Sequence, residues 1–178
     1  MPRISAITDA NANAAQQGLF SAVKAALGVT PNLMRTVGQS PAALEGYLSL
    51  NTALGKGILN VGLRERIALT VAQANGCDYC LSAHTYLATN VAKLSAEEIQ
   101  AARSGESSIE KITAALVFAR DIVEQRGRVS DESFSAIKSA GYLEAEIVEI
   151  VLNVSLNILT NYINNVAHTE IDFPVVRA

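Results

Sequence analysis

Apolar positions along this chain recur at helical spacing, and no stretch shows a convincing alternation of apolar and polar residues. Between residues 63 and 74, Leu63, Ile67 and Val71 mark one face, Ala68, Leu69 and Ala72 lie inward, and Arg66, Thr70 and Gln73 share a polar side. No proline falls between Ala42 and Phe173, a stretch rich in Ala, Leu, Ile and Glu, which favour helix. Breaks fall at Gly55-Lys56-Gly57, Asn75-Gly76, Ser104-Gly105, Gly127 and Gly141. The pattern predicts helices over about Asn13–Leu27, a short turn from Pro31, Pro41–Leu54, Leu63–Ala74 and Asp78–Thr89. A further helix follows the capping-box pattern Ser95-Ala96-Glu97-Glu98, and three more cover Ser108–Gln125, Asp131–Ala140 and Glu144–Ala167. The fold class is all-α. At an offset of eighty residues, Leu63, Ile67 and Val71 match Leu143, Ile147 and Val151, so two degenerate helical halves are an open possibility.

The length of 178 residues suits a single domain, with an N-terminal helical extension over about 1–57, a central part over about 58–105 and a C-terminal helical half over about 106–178. With 49% hydrophobic and 17% charged residues, a disordered chain is excluded. A net charge of −3 speaks against nucleic acid as a partner, because phosphate binding needs a basic patch. Two cysteines make no disulfide scaffold. Residues 150–169 carry no Asp, Glu, Lys or Arg and are long enough to cross a bilayer, but Asn153, Asn157, Asn161, Asn164 and Asn165 would be costly there. The segment reads as a helix buried in protein, with no membrane partner. The N-terminus has no sustained apolar stretch of the secretory kind, so a cytoplasmic location is expected, where thiols stay reduced.

The chemistry concentrates in the segment 65–84, ERIALTVAQANGCDYCLSAH, which holds both cysteines and one of the two histidines. Cys77 and Cys80 open a helix, near unsatisfied backbone N–H groups and the positive end of the helix dipole, which enriches thiolate. At ~100° per residue, Cys77, Cys80 and His84 fall within an arc of about 60°. His84 is one turn after Cys80 and within reach of its sulfur, and Cys77 is close enough to Cys80 for a disulfide. Glu65 points inward on the preceding helix, where a carboxylate needs a partner such as an imidazole or thiol; a solvated glutamate paired with a surface arginine is the plainer alternative. The cysteine pair itself admits three readings. It is a redox dithiol, or a zinc site using Cys77, Cys80, His84 and Glu65 or His168, or two inert core cysteines. A thioredoxin-like fold lacks both its strand and its proline loop here. No Gly-rich phosphate loop is present, and no haem, flavin or nucleotide cofactor is expected.

Glu65, eleven intervening residues, Cys77-x-x-Cys80, three residues and His84 resemble the signature of the AhpD-like alkylhydroperoxidases, within the carboxymuconolactone decarboxylase family. The close of the chain, from Asn161-Tyr162-Ile163-Asn164-Asn165 to Asp172-Phe173-Pro174, is similar to the tail of the peroxidase-related subgroup. The resemblance implies an AhpD-like helical bundle, homo-oligomers and a thiol-dependent alkyl hydroperoxide reductase. Cys80 would be peroxidatic, Cys77 resolving, and His84 with Glu65 a proton relay. The reductant would be a dithiol, lipoyl-type or a thioredoxin-like protein. One departure stands out: the relay histidine that AhpD proteins carry before the second cysteine is Tyr79 here, and a phenol is a poor base near neutral pH. The alternatives that stay open are a disulfide-exchange adaptor or redox sensor, and a Cys/His metal-binding module.

The remaining features read as structural. The Asn153, Asn157, Asn161 and Asn164 stripe is expected to pair amides at a helix or subunit interface rather than line a pocket. His168 is expected to cap a helix end, and Tyr47, Tyr86 and Tyr142 to be core or interface residues. Glu97-Glu98 and Glu144–Glu149 should be solvated faces, and the N-terminal helix should pack between subunits.

Overall fold

The computed structural model describes all 178 residues. Nine α-helices follow one short 3-10 turn at Asp9–Asn11: α1 (Ala14–Leu27), α2 (Asn32–Val37), α3 (Pro41–Gly55), α4 (Val61–Ala74), α5 (Asp78–Asn90), α6 (Ala96–Arg103), α7 (Glu110–Glu124), α8 (Asp131–Ser139) and α9 (Glu144–Ala167). The all-α expectation holds. Side-chain caps set several boundaries: Asn13 and Gln16 form a capping box, and Ser40, Asn60, Ser95 and Ser130 each accept a first-turn backbone N–H. Asn60 explains why α4 begins at Val61 rather than Leu63.

Helix α4 is the centre of the bundle and packs against α5, α6, α7 and α9. Leu63, Ile67, Leu69 and Val71 are buried, and so are Arg66 and Thr70 on the side that the sequence marks as polar. A helix covered on all sides must satisfy its polar groups internally. The Arg66 guanidinium meets the Glu98 carboxylate at 2.9 Å, and the Thr70 hydroxyl donates to Ala102 O on α6 at 2.6 Å. Glu98 is therefore no solvated residue. It also accepts from the Ser108 backbone N–H and the Ser107 hydroxyl, and these bonds, Ser108 first, hold its carboxyl down at about 2. The same bonds hold Ser107 and Ser108 in the turn before α7, which begins at Glu110 instead of Ser108. Glu149 departs from the expected solvated face as well, because it accepts the backbone N–H groups of Ile58 and Leu59.

At the eighty-residue offset Ile147 is buried like Ile67, but the other two pairs differ. Leu143 and Val151 are exposed where Leu63 and Val71 are buried. Helix α9 also runs unbroken through the positions matching Asn75-Gly76. By length and composition α9 is apolar enough to cross a membrane, but Asn153, Asn157, Asn161 and Asn164 are buried in the bundle.

The break between α4 and α5 positions the chemistry. Gly76 has φ +60°, a left-handed conformation that residues with a Cβ rarely adopt. The Cys77 N–H reaches back to Ala72 O at 2.9 Å, closing a Schellman-type turn. Cys77 thereby becomes the N-cap of α5 and Cys80 its third residue.

Candidate active site

The cysteine pair is buried at the start of α5. Cys77 is fully buried and Cys80 is 2% exposed. Both are free thiols, with sulfurs 2.6 Å apart. The Cys77 sulfur accepts the Cys80 backbone N–H at 3.3 Å, the role an N-cap hydroxyl usually takes. Its S–H donates to the Cys80 sulfur. This arrangement separates the two acidities. Cys80 is lowered to about 7, first by the bond from Cys77 and then, against the cost of burial, by the His84 charge and the Asn164 and Asn161 amides. Cys77 is pushed up because its proton is held by Cys80, with burial adding to the effect. Cys80 is the thiol poised to ionise and Cys77 the one that keeps its proton.

Glu65 and His84 meet as the sequence suggests. The Glu65 Oε2 lies 2.8 Å from His84 Nδ1, with both side chains largely buried. Burial depresses the imidazole, but the Glu65 carboxylate and the Cys80 charge outweigh it, leaving His84 above its ordinary value. With Nδ1 committed to Glu65, Nε2 is the nitrogen free for proton transfer. Glu65, Cys80 and His84 all line one cavity of about 80 Å³.

Several lining residues escaped the sequence reading. Tyr47, expected in the core or an interface, lines this cavity, and burial, then the Cys80 and Glu65 charges, pushes its phenol up to about 12. It keeps its proton there. Arg64 joins the lining, as do Asn153 and Asn157 from the stripe expected to pair amides. Asn164, on the same stripe, donates from Nδ2 to the Cys80 sulfur at 3.2 Å. The signal was present, four asparagines at helical spacing on an otherwise apolar helix, but the sequence did not show that they face the thiol.

The Tyr79 hydroxyl is bonded to neither Glu65 nor His84. It donates to Asp172 at 2.8 Å and accepts the Leu33 N–H at 3.0 Å, and the Tyr79 ring meets Phe173 edge-on. Burial, reinforced by Asp172, pushes the phenol far up. Tyr79 thus anchors the C-terminal tail to α5. Arg177 adds to this anchorage by pairing with Asp78 at 2.6 Å. Tyr142 is buried as expected, whereas Tyr86 is half exposed against Phe173. His168 is an exposed helix end in the left-handed conformation, capping through its backbone N–H. No group of three or more His, Cys, Asp or Glu side chains is arranged to hold a metal ion.

Residues 41–125, which hold α4, α5 and every member of the dithiol centre except the α9 amides, match the Carboxymuconolactone decarboxylase family. That central segment, just under half of the chain, carries the family's pattern. Sequence comparison with curated proteins yields no match. Among solved structures, an uncharacterised peroxidase-related protein with an AhpD core from Ralstonia eutropha JMP134 superimposes with a TM-score of 0.83 at 22% identity, over 96% of this chain and 92% of that one. The debrominase Bmp8, in complex with 2,3,4-tribromopyrrole as a cysteine-to-alanine variant, gives 0.81 at 22% identity, over 95% and 91%. A peroxidase-related protein from Silicibacter sp. TM1040 gives 0.79 at 19%, over 93% and 91%. These structural likenesses establish the AhpD-like helical fold across nearly the whole chain.

Proposed function

We propose that this protein is a dithiol-dependent hydroperoxide reductase. The observation that carries the reading is the Glu65–His84 pair opening on the same cavity as a lowered Cys80 thiol. The Cys80 thiolate attacks the distal oxygen of a hydroperoxide, and the O–O bond breaks. The departing alkoxide takes a proton from the His84 imidazolium, giving the alcohol and leaving Cys80 as a sulfenic acid. Cys77 then attacks the Cys80 sulfur and a disulfide forms. Hydroxide leaves and is protonated to water by the proton Cys77 gives up. An external dithiol restores both thiols by exchange. The sum is one hydroperoxide and one dithiol converted to alcohol, water and disulfide.

The burial of both sulfurs bears on the reductant and on the alternatives. A flat protein surface cannot reach a sulfur that is 2% exposed or less. A slender lipoyl-type dithiol therefore fits better than a thioredoxin-like protein, and a protein-to-protein disulfide adaptor fits less well. The homo-oligomer finds support in Val148, Val151, Leu152, Leu159, Tyr162 and Val166, which leave an apolar stripe exposed along α9.

The likeness to a debrominase favours a second reading. The same dithiol can supply the electron pair that converts a brominated arene to the arene and bromide, closing the disulfide. One assay separates the two. Reduced protein with excess dihydrolipoamide should consume many equivalents of an organic hydroperoxide per chain. Bromide release from a bromopyrrole without hydroperoxide loss would replace the first reading with the second, and loss no faster than with dihydrolipoamide alone would end it.

A further inference from the structure

We propose that the side-chain amides of Asn164 and Asn161 form a donor cradle for the Cys80 thiolate, which makes both catalytic residues of the dithiol centre. The proposal goes beyond the peroxidase reading, because it concerns the ionisation of the thiol whatever the thiolate attacks. Asn164 and Asn161 lie one turn apart on α9, 3% and 0% exposed. Asn164 Nδ2 is 3.2 Å from the Cys80 sulfur. Its Oδ1 is buried with no partner, so the amide holds its N–H group on the sulfur although its oxygen goes unsatisfied.

Asn161 is oriented from behind. Its Oδ1 accepts from Asn75 Nδ2 at 2.9 Å, and Asn75 O in turn accepts from Asn165 Nδ2 at 3.0 Å. With the oxygen fixed on Asn75, the NH2 group is turned the other way. That Nδ2 is buried and meets no acceptor. A buried donor without an acceptor is costly, and a neutral thiol is a weak acceptor. Ionisation of Cys80 supplies a strong one, since hydrogen bonds to charged groups are shorter and stronger than neutral ones. The direction of the Cys80 shift agrees, with both amides lowering it. Asn75, the last residue before Gly76, acts through Asn161 and is a positioning residue.

The cradle supplies stabilisation that Tyr79 cannot. The Tyr79 hydroxyl is committed to Asp172 and to the Leu33 N–H. The amides act from α9, whereas the His84 charge acts from α5 itself, so the thiolate is favoured from two elements.

The test is the pH titration of Cys80, followed by thiolate absorbance and by the rate of iodoacetamide alkylation in the reduced full-length chain. Asn164→Ala should raise the midpoint by about one unit, leaving roughly tenfold less thiolate below both midpoints. Asn161→Ala should raise it as well, and the double variant should exceed either. Asn164→Asp, nearly isosteric, should raise it most, because a carboxylate then faces the thiolate. Asn75→Ala should give a smaller rise that vanishes in an Asn161→Ala background, which a merely structural role would not produce. An unmoved midpoint in folded Asn164→Ala overturns the proposal. Should that variant fail to fold, an unmoved midpoint in Asn164→Asp overturns it equally. A chain that shifts as expected but consumes no hydroperoxide contradicts the peroxidase reading and leaves the cradle standing.

Discussion

Cys80→Ser should consume organic hydroperoxide no faster than the dithiol alone, whereas Cys77→Ser, reduced and then freed of external dithiol, should react once and stop. The asymmetry follows from the two thiols' surroundings. Cys80 lines the cavity and is lowered to about 7, by Cys77 first and then by His84 and the α9 amides. Cys77 is sealed from solvent and keeps its proton. Serine at position 80 has no accessible anion near neutral pH, so the first step disappears. Serine at position 77 can still donate a hydrogen bond to Cys80, so the first oxygen transfer survives. The sulfenic acid then has no thiol to condense with. A dimedone adduct on Cys80 in the Cys77→Ser chain, one per chain, checks the assignment. Adducts at position 77 in Cys80→Ser, or sustained turnover in either variant, would reverse it.

The second large effect belongs to Glu65. Glu65→Gln should lower kcat/KM for hydroperoxide at neutral pH by about 10²-fold, at the lower end of what a positioned acid contributes. Glutamine keeps a hydrogen-bond acceptor 2.8 Å from His84 Nδ1 but removes the charge that opposes burial. With burial no longer opposed by that charge, the imidazole falls below its present value and supports the thiolate less. Cys80 rises from about 7. The sign follows: below its midpoint the thiol is protonated and slow, and above it the thiolate is present. The wild-type profile should therefore climb through about pH 7. The variant should climb at higher pH and recover only in part, because the acid for the departing alkoxide is also lost. A variant profile superimposed on the wild type would mean that the Glu65–His84 pair is purely structural.

What the sequence reveals of this centre is set by how local each contact is. Cys77, Cys80 and His84 share one helix, so their alignment follows from the turn angle alone. Glu65 was accessible one step further, because an acid among Ala68, Leu69 and Ala72 must find a partner and the next helix offers a histidine. The α9 amides were legible as a stripe but not as ligands of the sulfur. Their partner lies more than eighty residues away and is fixed by how α9 packs on α4 and α5. Arg66 and Thr70 misled for the same reason, since their polar side is covered by α6 and its carboxylate at Glu98. Tyr79 shows the reverse. Its poor basicity was evident from its type, but its work as an anchor depends on Asp172 and Phe173 folding back from the tail.

The central claim is that Cys80 and Cys77 form one redox couple driven by hydroperoxide. Its most direct test is a thiol count and intact mass of the reduced chain after one equivalent of an organic hydroperoxide. The account predicts that both free thiols vanish together, with the mass falling by two hydrogens and no intermolecular product. Two thiols still titratable, or the mass rising by oxygen on one cysteine while the other stays free, would contradict it.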